Sequence, residues 1–537
     1  MGGSHTLLGR PTGEIHPAIL SRRIHETVLA GGAALITIAM AMAIAVAVPH
    51  PSVTLLVAGI AGGLVTVWLI ASTRYEVTVT ALALFLGLGD GPVKLLTASQ
   101  LASGLRNVLI LAVCFGAVIR LLVSRQQIRL PPLSGWVIAF TGLVVMNAFN
   151  PNTQGFLKAL GGFRQQLEWV PFFFFGYMLM RSNARLRMFF IVLGVIALAN
   201  GIVATYQTRL SPPQLASWGP GYRERVYGTE GGTSSRTYKG GEGTAHVRPF
   251  GLGSDAGFGG GTGVLALPCA VALLATGRLR RRWMGVLFCL GALVAIATGL
   301  GRLQVVGGAI ALLSFGLLAA TAGRRVTRPV LALIALAAIA IPLGAVFVSA
   351  EGSGVFSRYT SISPSQVAET STGYKATTLA AIPRYIQNDP FGFGLGSTGA
   401  VSGFGGRTTV TLEGHGFSSE TQYNMTTDEL GLPGLIIWVG LSLQILLLVV
   451  RRLRYIRDVD LRISLAGVFA ALFAYSIMGF SGPFLQSAAA GPFFWFAAGI
   501  AAYWFAGPGF TAQRLGARKG TDTDTGTGSR EPVAVRA

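Results

Sequence analysis

Apolar runs near the roughly 20 residues that carry a helix across a bilayer recur from Val28 to Phe505, separated by short polar connections. They read as spans at 28–48, 51–71, 76–90, 105–123, 133–149, 163–180, 186–207, 254–276, 283–300, 302–320, 329–349, 432–450, 463–480 and 487–506. The pattern predicts an all-α polytopic membrane protein of about fourteen transmembrane helices, with 12 to 14 the range the weaker runs allow. Residues 1–27 then form an N-terminal segment, 28–507 the helical domain and 508–537 a disordered tail. The third run is short, and the turn at Gly301 has to be tight.

Arginine fixes which connections share a side, because short cytoplasmic loops are enriched in basic residues. Alternate connections carry Arg22 and Arg23, Arg74, Arg125 and Arg129, Arg181 to Arg187, Arg278 to Arg282, Arg324 to Arg328, Arg451 to Arg457, and Arg514 to Lys519. This series predicts a multi-pass protein of the cytoplasmic (inner) membrane with both termini cytoplasmic. The intervening connections are poor in clustered base, and two are long: 208–253 and 350–431. Both are expected on the outer face.

Composition agrees with a membrane: 51% of the 537 residues are hydrophobic and 12% charged. A formal charge of +21 raises nucleic acid as a partner, but the basic residues sit in short clusters between apolar runs, and none is expected. Cys114, Cys269 and Cys289 lie within apolar runs without metal-ligand spacing, so neither a disulfide nor a metal site is expected. The segment 516–537 is low in complexity, with nothing to bury, and is expected to be disordered.

Three arginines fall at outer helix ends, where topology does not require them: Arg164, Arg248 and Arg302. Guanidinium groups present planar donors that suit phosphate oxygens, so several converging there would bind the diphosphate of an anionic lipid. The plain alternative is that each snorkels to the interface or pairs locally, Arg164 for instance with Glu168. Glycine is concentrated at 251–263 and 392–396, where it permits close approach of backbone. The second long loop ends in a polar stretch, 420–435; on a helix, Glu420, Tyr423, Asn424 and Thr427 share one face and Glu429 lies nearer the other. Glu420 is placed to orient or deprotonate a hydroxyl, with Tyr423, Asn424 and His415 as substrate contacts. The plain readings are a solvated face and a solvated histidine.

The order of these features resembles the O-antigen ligase and polysaccharide polymerase family of membrane glycosyltransferases, which resemble the C-type group. The match rests on Arg248-Pro-Phe-Gly-Leu-Gly, Thr298-Gly-Leu-Gly-Arg302, Asp389-Pro-Phe-Gly-Phe-Gly-Leu-Gly396 and the segment from Tyr423 to Leu435. The ligases' His-Asn pair is replaced here by Glu420-Thr421, unless His415 takes its place in a shifted register. The resemblance implies an inverting glycosyltransferase of polymerase or ligase type that uses neither metal nor cofactor. It would transfer a glycan from a polyprenyl-diphosphate-linked oligosaccharide to a glycan or lipid acceptor on the outer face, in envelope or exopolysaccharide assembly. Membrane lipid and other polysaccharide-assembly proteins are the implied partners. Arg248 and Arg302, with Arg164 assisting, would hold the diphosphate, and Glu420 would serve the acceptor. The rival readings are a transporter or flippase of the same lipid-linked glycan, or a non-catalytic scaffold of an envelope-assembly complex. A transporter needs a polar path through the membrane and some repeat symmetry; Arg120 and Asp90 are the nearest candidates for the path.

Overall fold

The computed structural model describes residues 53–72, 74–98, 100–123, 130–153, 155–228, 236–239, 245–276, 279–321, 359, 376–401, 421–484 and 487–513. The spans expected at 28–48 and 329–349 lie outside the described residues, as do Glu420, His415 and the stretch 514–537. Residues 508–513, assigned from sequence to a disordered tail, are helical instead, and the Arg452 guanidinium lies 4.8 Å over the Phe510 ring. An aromatic with a cationic partner anchors those residues to the helix end.

The helices in chain order are α1 (Val53–Ala71), α2 (Tyr75–Leu84), α3 (Asp90–Thr97), α4 (Gln100–Val123), α5 (Ser134–Asn147), α6 (Phe156–Leu167), α7 (Pro171–Leu179) and α8 (Asn183–Gln207). Short helices α9 (Pro212–Ala216) and α10 (Pro220–Tyr227) and a hairpin of β1 (Thr237–Lys239) with β2 (Ala245–Val247) follow. Then come α11 (Phe258–Thr276), α12 (Leu279–Thr298), α13 (Arg302–Ala320), the short α14 (Ala376–Ala380) and α15 (Ile382–Asn388), α16 (Gln422–Arg452), α17 (Val459–Met478) and α18 (Ala490–Trp504). Among the described residues eight helices are long and apolar enough to cross a membrane, and three shorter apolar helices accompany them. This is an all-α membrane architecture; the hairpin is its one described sheet.

The chain divides into two compact units. The first comprises residues up to Leu82 and Gly104–Ile128. Within it Arg120 donates to the carbonyls of Leu69 and Ile70 (both 3.4 Å) and lies 4.3 Å over the Tyr75 ring, while Tyr75 Oη donates to Ala117 O at 2.8 Å. The arginine satisfies the C-terminal carbonyls of α1, a common role for a cation at a helix end.

The second unit, Ala83–Ser103 with Arg129–Ala537, centres on α11, which packs against α8, α12, α13 and α17. Glycine makes the closest crossings possible. A Cβ on Gly176 of α7 would meet Phe496 O at 2.1 Å, and one on Gly499 of α18 would meet Phe173 O at 2.0 Å. Gly499→Leu is therefore expected to lower stability by about 3 kcal/mol through overpacking, read as an earlier midpoint in tryptophan-monitored thermal unfolding.

Side-chain partners sort this unit into two ends. At one, Arg187 bonds Asp460 Oδ2 (2.7 Å) and Thr276 O (3.4 Å), Arg462 bonds Thr321 O (2.8 Å), Arg185 bonds Leu179 O (3.2 Å) and Arg452 bonds Phe505 O. Arg185, Arg187 and Arg452 belong to the arginine clusters of alternate connections, and with Arg462 of α17 they cap helix C-termini. At the other end lie the glycine-rich and amide-rich connections described next. The first long connection there is folded: Leu215, Tyr222, Val226, Val247 and Phe250 form a small core against Leu95 of α3. Burial pushes the Tyr222 phenol up to about 12.

Candidate functional site

The Arg248 segment is held by two amides on one face of α8. Gln207 Oε1 accepts from the backbone N–H groups of Phe250 (2.8 Å) and Gly251 (2.9 Å), and its Nε2 donates to Gly251 O at 3.1 Å. One helical stretch earlier, Asn200 Oδ1 accepts from Leu252 N at 2.8 Å, and its Nδ2 donates to Gly87 O (3.0 Å) in the π turn Phe85–Gly89. Both amides are buried, so these bonds are made without competition from water. On the other side Arg248 N donates to Arg236 O (3.0 Å), and Arg236 Nε pairs with Asp255 Oδ1 at 2.9 Å.

Arg248 thereby reaches the start of α13. A Cβ on Gly257 (φ +85°) would lie 3.7 Å from Arg248 Nη2 and 2.7 Å from Gln304 Nε2, which itself donates to Gly257 O at 3.2 Å. Gly257 therefore leaves room where the Arg248 and Gln304 side chains approach each other. The tight turn expected at Gly301 is present: Leu300 takes a positive φ of 49°, α12 ends at Thr298 and α13 begins at Arg302. Arg302 is exposed in the first turn of α13, two residues before Gln304, and Arg248 is half-buried.

The second long connection closes over the same end. The run Asp389 to Gly396 is fixed by side chains between α5 and α6: Asn147 Nδ2 donates to Phe391 O (2.9 Å), Asn150 Nδ2 to Gly392 O (2.9 Å) and Asn152 Nδ2 to Asp389 Oδ2 (2.7 Å), while Thr153 Oγ1 accepts from Leu395 N (3.1 Å). Burial raises the Asp389 carboxyl above the usual carboxylate range, partly offset by hydrogen bonds from Phe391 N–H and Asn152. The run then crosses α16, with Phe393 N donating to Asp428 O at 2.7 Å and Leu432 N to Pro390 O at 2.9 Å. Gly431 breaks α16 there with φ 64°, and its Cβ would meet Pro390 O at 2.2 Å. No other residue type fits that crossing.

Beneath the crossing is a buried polar layer. Glu429, fully buried, accepts from Gln165 Nε2 (2.9 Å) and Gln166 Nε2 (2.6 Å), with the Thr398 backbone N–H and hydroxyl at 3.5 Å. Helix α6 is inverted relative to a soluble helix: Lys158, Gln165 and Gln166 face inward, while Phe156, Leu157 and Leu160 are exposed. That suits a helix with protein behind it and lipid in front.

The sequence-predicted residues are distributed as follows. Arg248 approaches Gln304 at Gly257, and Arg302 lies two residues before Gln304 at the exposed start of α13. Arg164 is exposed on α6 beside Gln165. Tyr423 is half-buried against the end of α17, its ring 4.5 Å from that of Phe480 and its hydroxyl 3.5 Å from Ser476 O. Asn424, expected on a polar surface, is instead wholly buried and donates to Thr378 O at 2.7 Å, because α14 and the end of α17 cover the first turns of α16. It is a packing residue in this conformation.

The end of α17 joins the arginine side to the α16 side. Tyr475 Oη donates to Gly261 O (2.8 Å) at the start of α11, Met478 Sδ would lie 2.3 Å from a Cβ on Gly307 of α13, and Gly479 O accepts from Gln422 N at 3.0 Å. Leu303, next to Arg302, approaches Gly482. Sequence reasoning missed Asn147, Asn150, Asn152, Gln165, Gln166, Asn200, Gln207 and Asp428. The available signal was amide side chains placed in or at the ends of apolar runs, where an unmet amide is costly. In comparisons with known proteins, no family model matches this chain and no curated protein does.

Proposed function

We propose that this protein transfers a glycan from a polyprenyl-diphosphate carrier to an acceptor hydroxyl at the outer face of the cytoplasmic membrane, as the O-antigen ligases and polysaccharide polymerases do. The proposal includes about fourteen spans with both termini cytoplasmic, the arginine-capped end of the second unit facing the cytoplasm. The observation that carries it is the approach of Arg248 to Gln304 at Gly257, two residues along α13 from Arg302. Two guanidinium groups and the positive end of a 19-residue helix suit the oxygens of a diphosphate and the charge it gains on leaving. Arg164 would assist from α6.

The reaction is a displacement at the anomeric carbon with inversion. The acceptor oxygen bonds to that carbon as its bond to the diphosphate oxygen breaks, and the departing diphosphate keeps the electron pair. Because a diphosphate leaves readily, the greater part of the acceleration falls to the arginines and to positioning. The two charged residues that a conduction path would use are engaged locally: Arg120 with carbonyls of α1, and Asp90 with Lys94 at 2.8 Å. This supports a transferase over a transporter. Purified protein in nanodiscs, given a polyprenyl-diphosphate oligosaccharide and no added metal, is expected to release polyprenyl diphosphate and to lengthen or transfer the glycan. Intact carrier after prolonged incubation with each acceptor class would refute the proposal.

A further inference from the structure

The first turns of α16 hold polar side chains in close succession, and with one exception each has a named partner. Thr421 and Asn424 cap one another, Gln422 Nε2 donates to Thr426 Oγ1 (3.2 Å), Thr426 and Thr427 donate to the carbonyls four residues earlier, and Tyr423 reaches Ser476 O. Both oxygens of Glu429 are taken by Gln165, Gln166 and Thr398. The exception is Asp428. It is 0% exposed, and neither carboxyl oxygen has a hydrogen-bond donor among the described residues.

A buried carboxyl without donors costs stability, and a second carboxyl next in sequence makes the position worse. A side chain kept under those conditions calls for a reason outside the fold, and an ionisable group buried in a membrane protein is a functional candidate. Asp428 sits under the glycine-rich run, which crosses it through the single bond from Phe393 N to Asp428 O. This is the end of the unit that carries Arg248 and Arg302. Glu429 is committed to holding α6 and Thr398 in place, so it is a positioning residue; among the described residues the Gln165 amide oxygen also lacks a donor, but Asp428 is the group in this layer with spare acceptor capacity that can also take up a proton.

We propose that Asp428 receives the acceptor: its carboxylate takes a hydrogen bond from the acceptor hydroxyl and removes that proton as the glycosidic bond forms. The inference rests on the transfer reading above and assigns Asp428 the role that the sequence suggests for Glu420. In the step, the hydroxyl oxygen bonds to the anomeric carbon, the carbon–oxygen bond to the diphosphate breaks, and the hydroxyl proton passes to Asp428 Oδ. It leaves to solvent when the product departs. Admission of the acceptor opens the contact between Phe393 and Asp428, and Gly392, Gly394 and Gly396, all at positive φ, supply the backbone freedom for it.

The test is Asp428→Asn in the full-length protein in nanodiscs, with kcat, donor KM and melting temperature measured together. The expected result is a kcat lower by about 100-fold or more, a donor KM within about 3-fold of wild type, and a melting temperature equal or higher. Three results would overturn the assignment: a kcat within about 3-fold of wild type, a melting temperature that falls with activity, or a variant that does not fold. The last two would make Asp428 structural. Wild-type protein without turnover would remove the transfer reading itself, whereas turnover unchanged by D428N removes the Asp428 assignment alone.

Discussion

Replacing Arg248 and Arg302 together with alanine is expected to lower glycan transfer by about 10⁴-fold or more while leaving the protein folded, since one preorganised donor to a developing charge is worth about 10²–10³ in rate. Arg302 is exposed, and the Arg248 segment keeps its hold through Gln207 and Asn200, whose bonds run to backbone and not to the guanidinium. Loss of activity with an unchanged melting temperature would therefore report on chemistry. The lysine pair should recover part of the rate, because charge is kept while the planar fork is lost. Full turnover in the alanine pair, measured as released polyprenyl diphosphate, would return both residues to snorkelling cations of the membrane interface.

Glu429→Ala is expected to have the largest effect on stability, about 3–5 kcal/mol. Truncation leaves the Gln165 and Gln166 amides, both buried, without their shared acceptor, and opens a gap under the crossing of the glycine-rich run with α16. Thermal unfolding should shift to a lower midpoint, and limited proteolysis should cut first within the run 389–401. A double-mutant cycle with Gln166→Ala should show coupling of about 1–3 kcal/mol. Additive effects would mean that the 2.6 Å contact between Gln166 and Glu429 contributes little. Glu429→Gln keeps the volume and should be milder.

The helices were legible because lipid imposes a long, continuous apolar run that few other constraints mimic, and alternation of arginine clusters was legible because it is written in residue type. Arg187 with Thr276 O and Arg452 with Phe505 O show those clusters capping helices at one end. Two departures came from polar residues inside apolar surroundings. The run 163–180 is two helices, α6 and α7, because Gln165 and Gln166 turn inward to Glu429 while Pro171 starts a new helix. The span at 432–450 begins earlier, since α16 runs from Gln422 through a break at Gly431.

The site was legible only in part. Arg248 and Arg302 stood out because the alternation of arginine clusters gives no reason for a charge at the helix ends where the sequence puts them. The amides that hold the Arg248 segment, Gln207 and Asn200, did not, because their long-range partners are carbonyls and N–H groups between 43 and 113 residues away, and no spacing rule connects such positions. Asn424 was misplaced for a related reason: helical periodicity says which residues share a face, but not which face a neighbouring segment will cover. Asp428 gave no signal beside Glu429, since satisfaction of a carboxyl is a property of the folded surroundings.

Proteoliposomes loaded with lipid-linked oligosaccharide in one leaflet offer the most direct measurement, because glycan chemistry and movement of the carrier can be followed in one sample. The account predicts release of polyprenyl diphosphate in step with glycan transfer, confined to the leaflet at the Arg248 and Arg302 end, and lost in the double alanine variant. Transfer of intact carrier between leaflets with no glycosidic bond made or broken would contradict it.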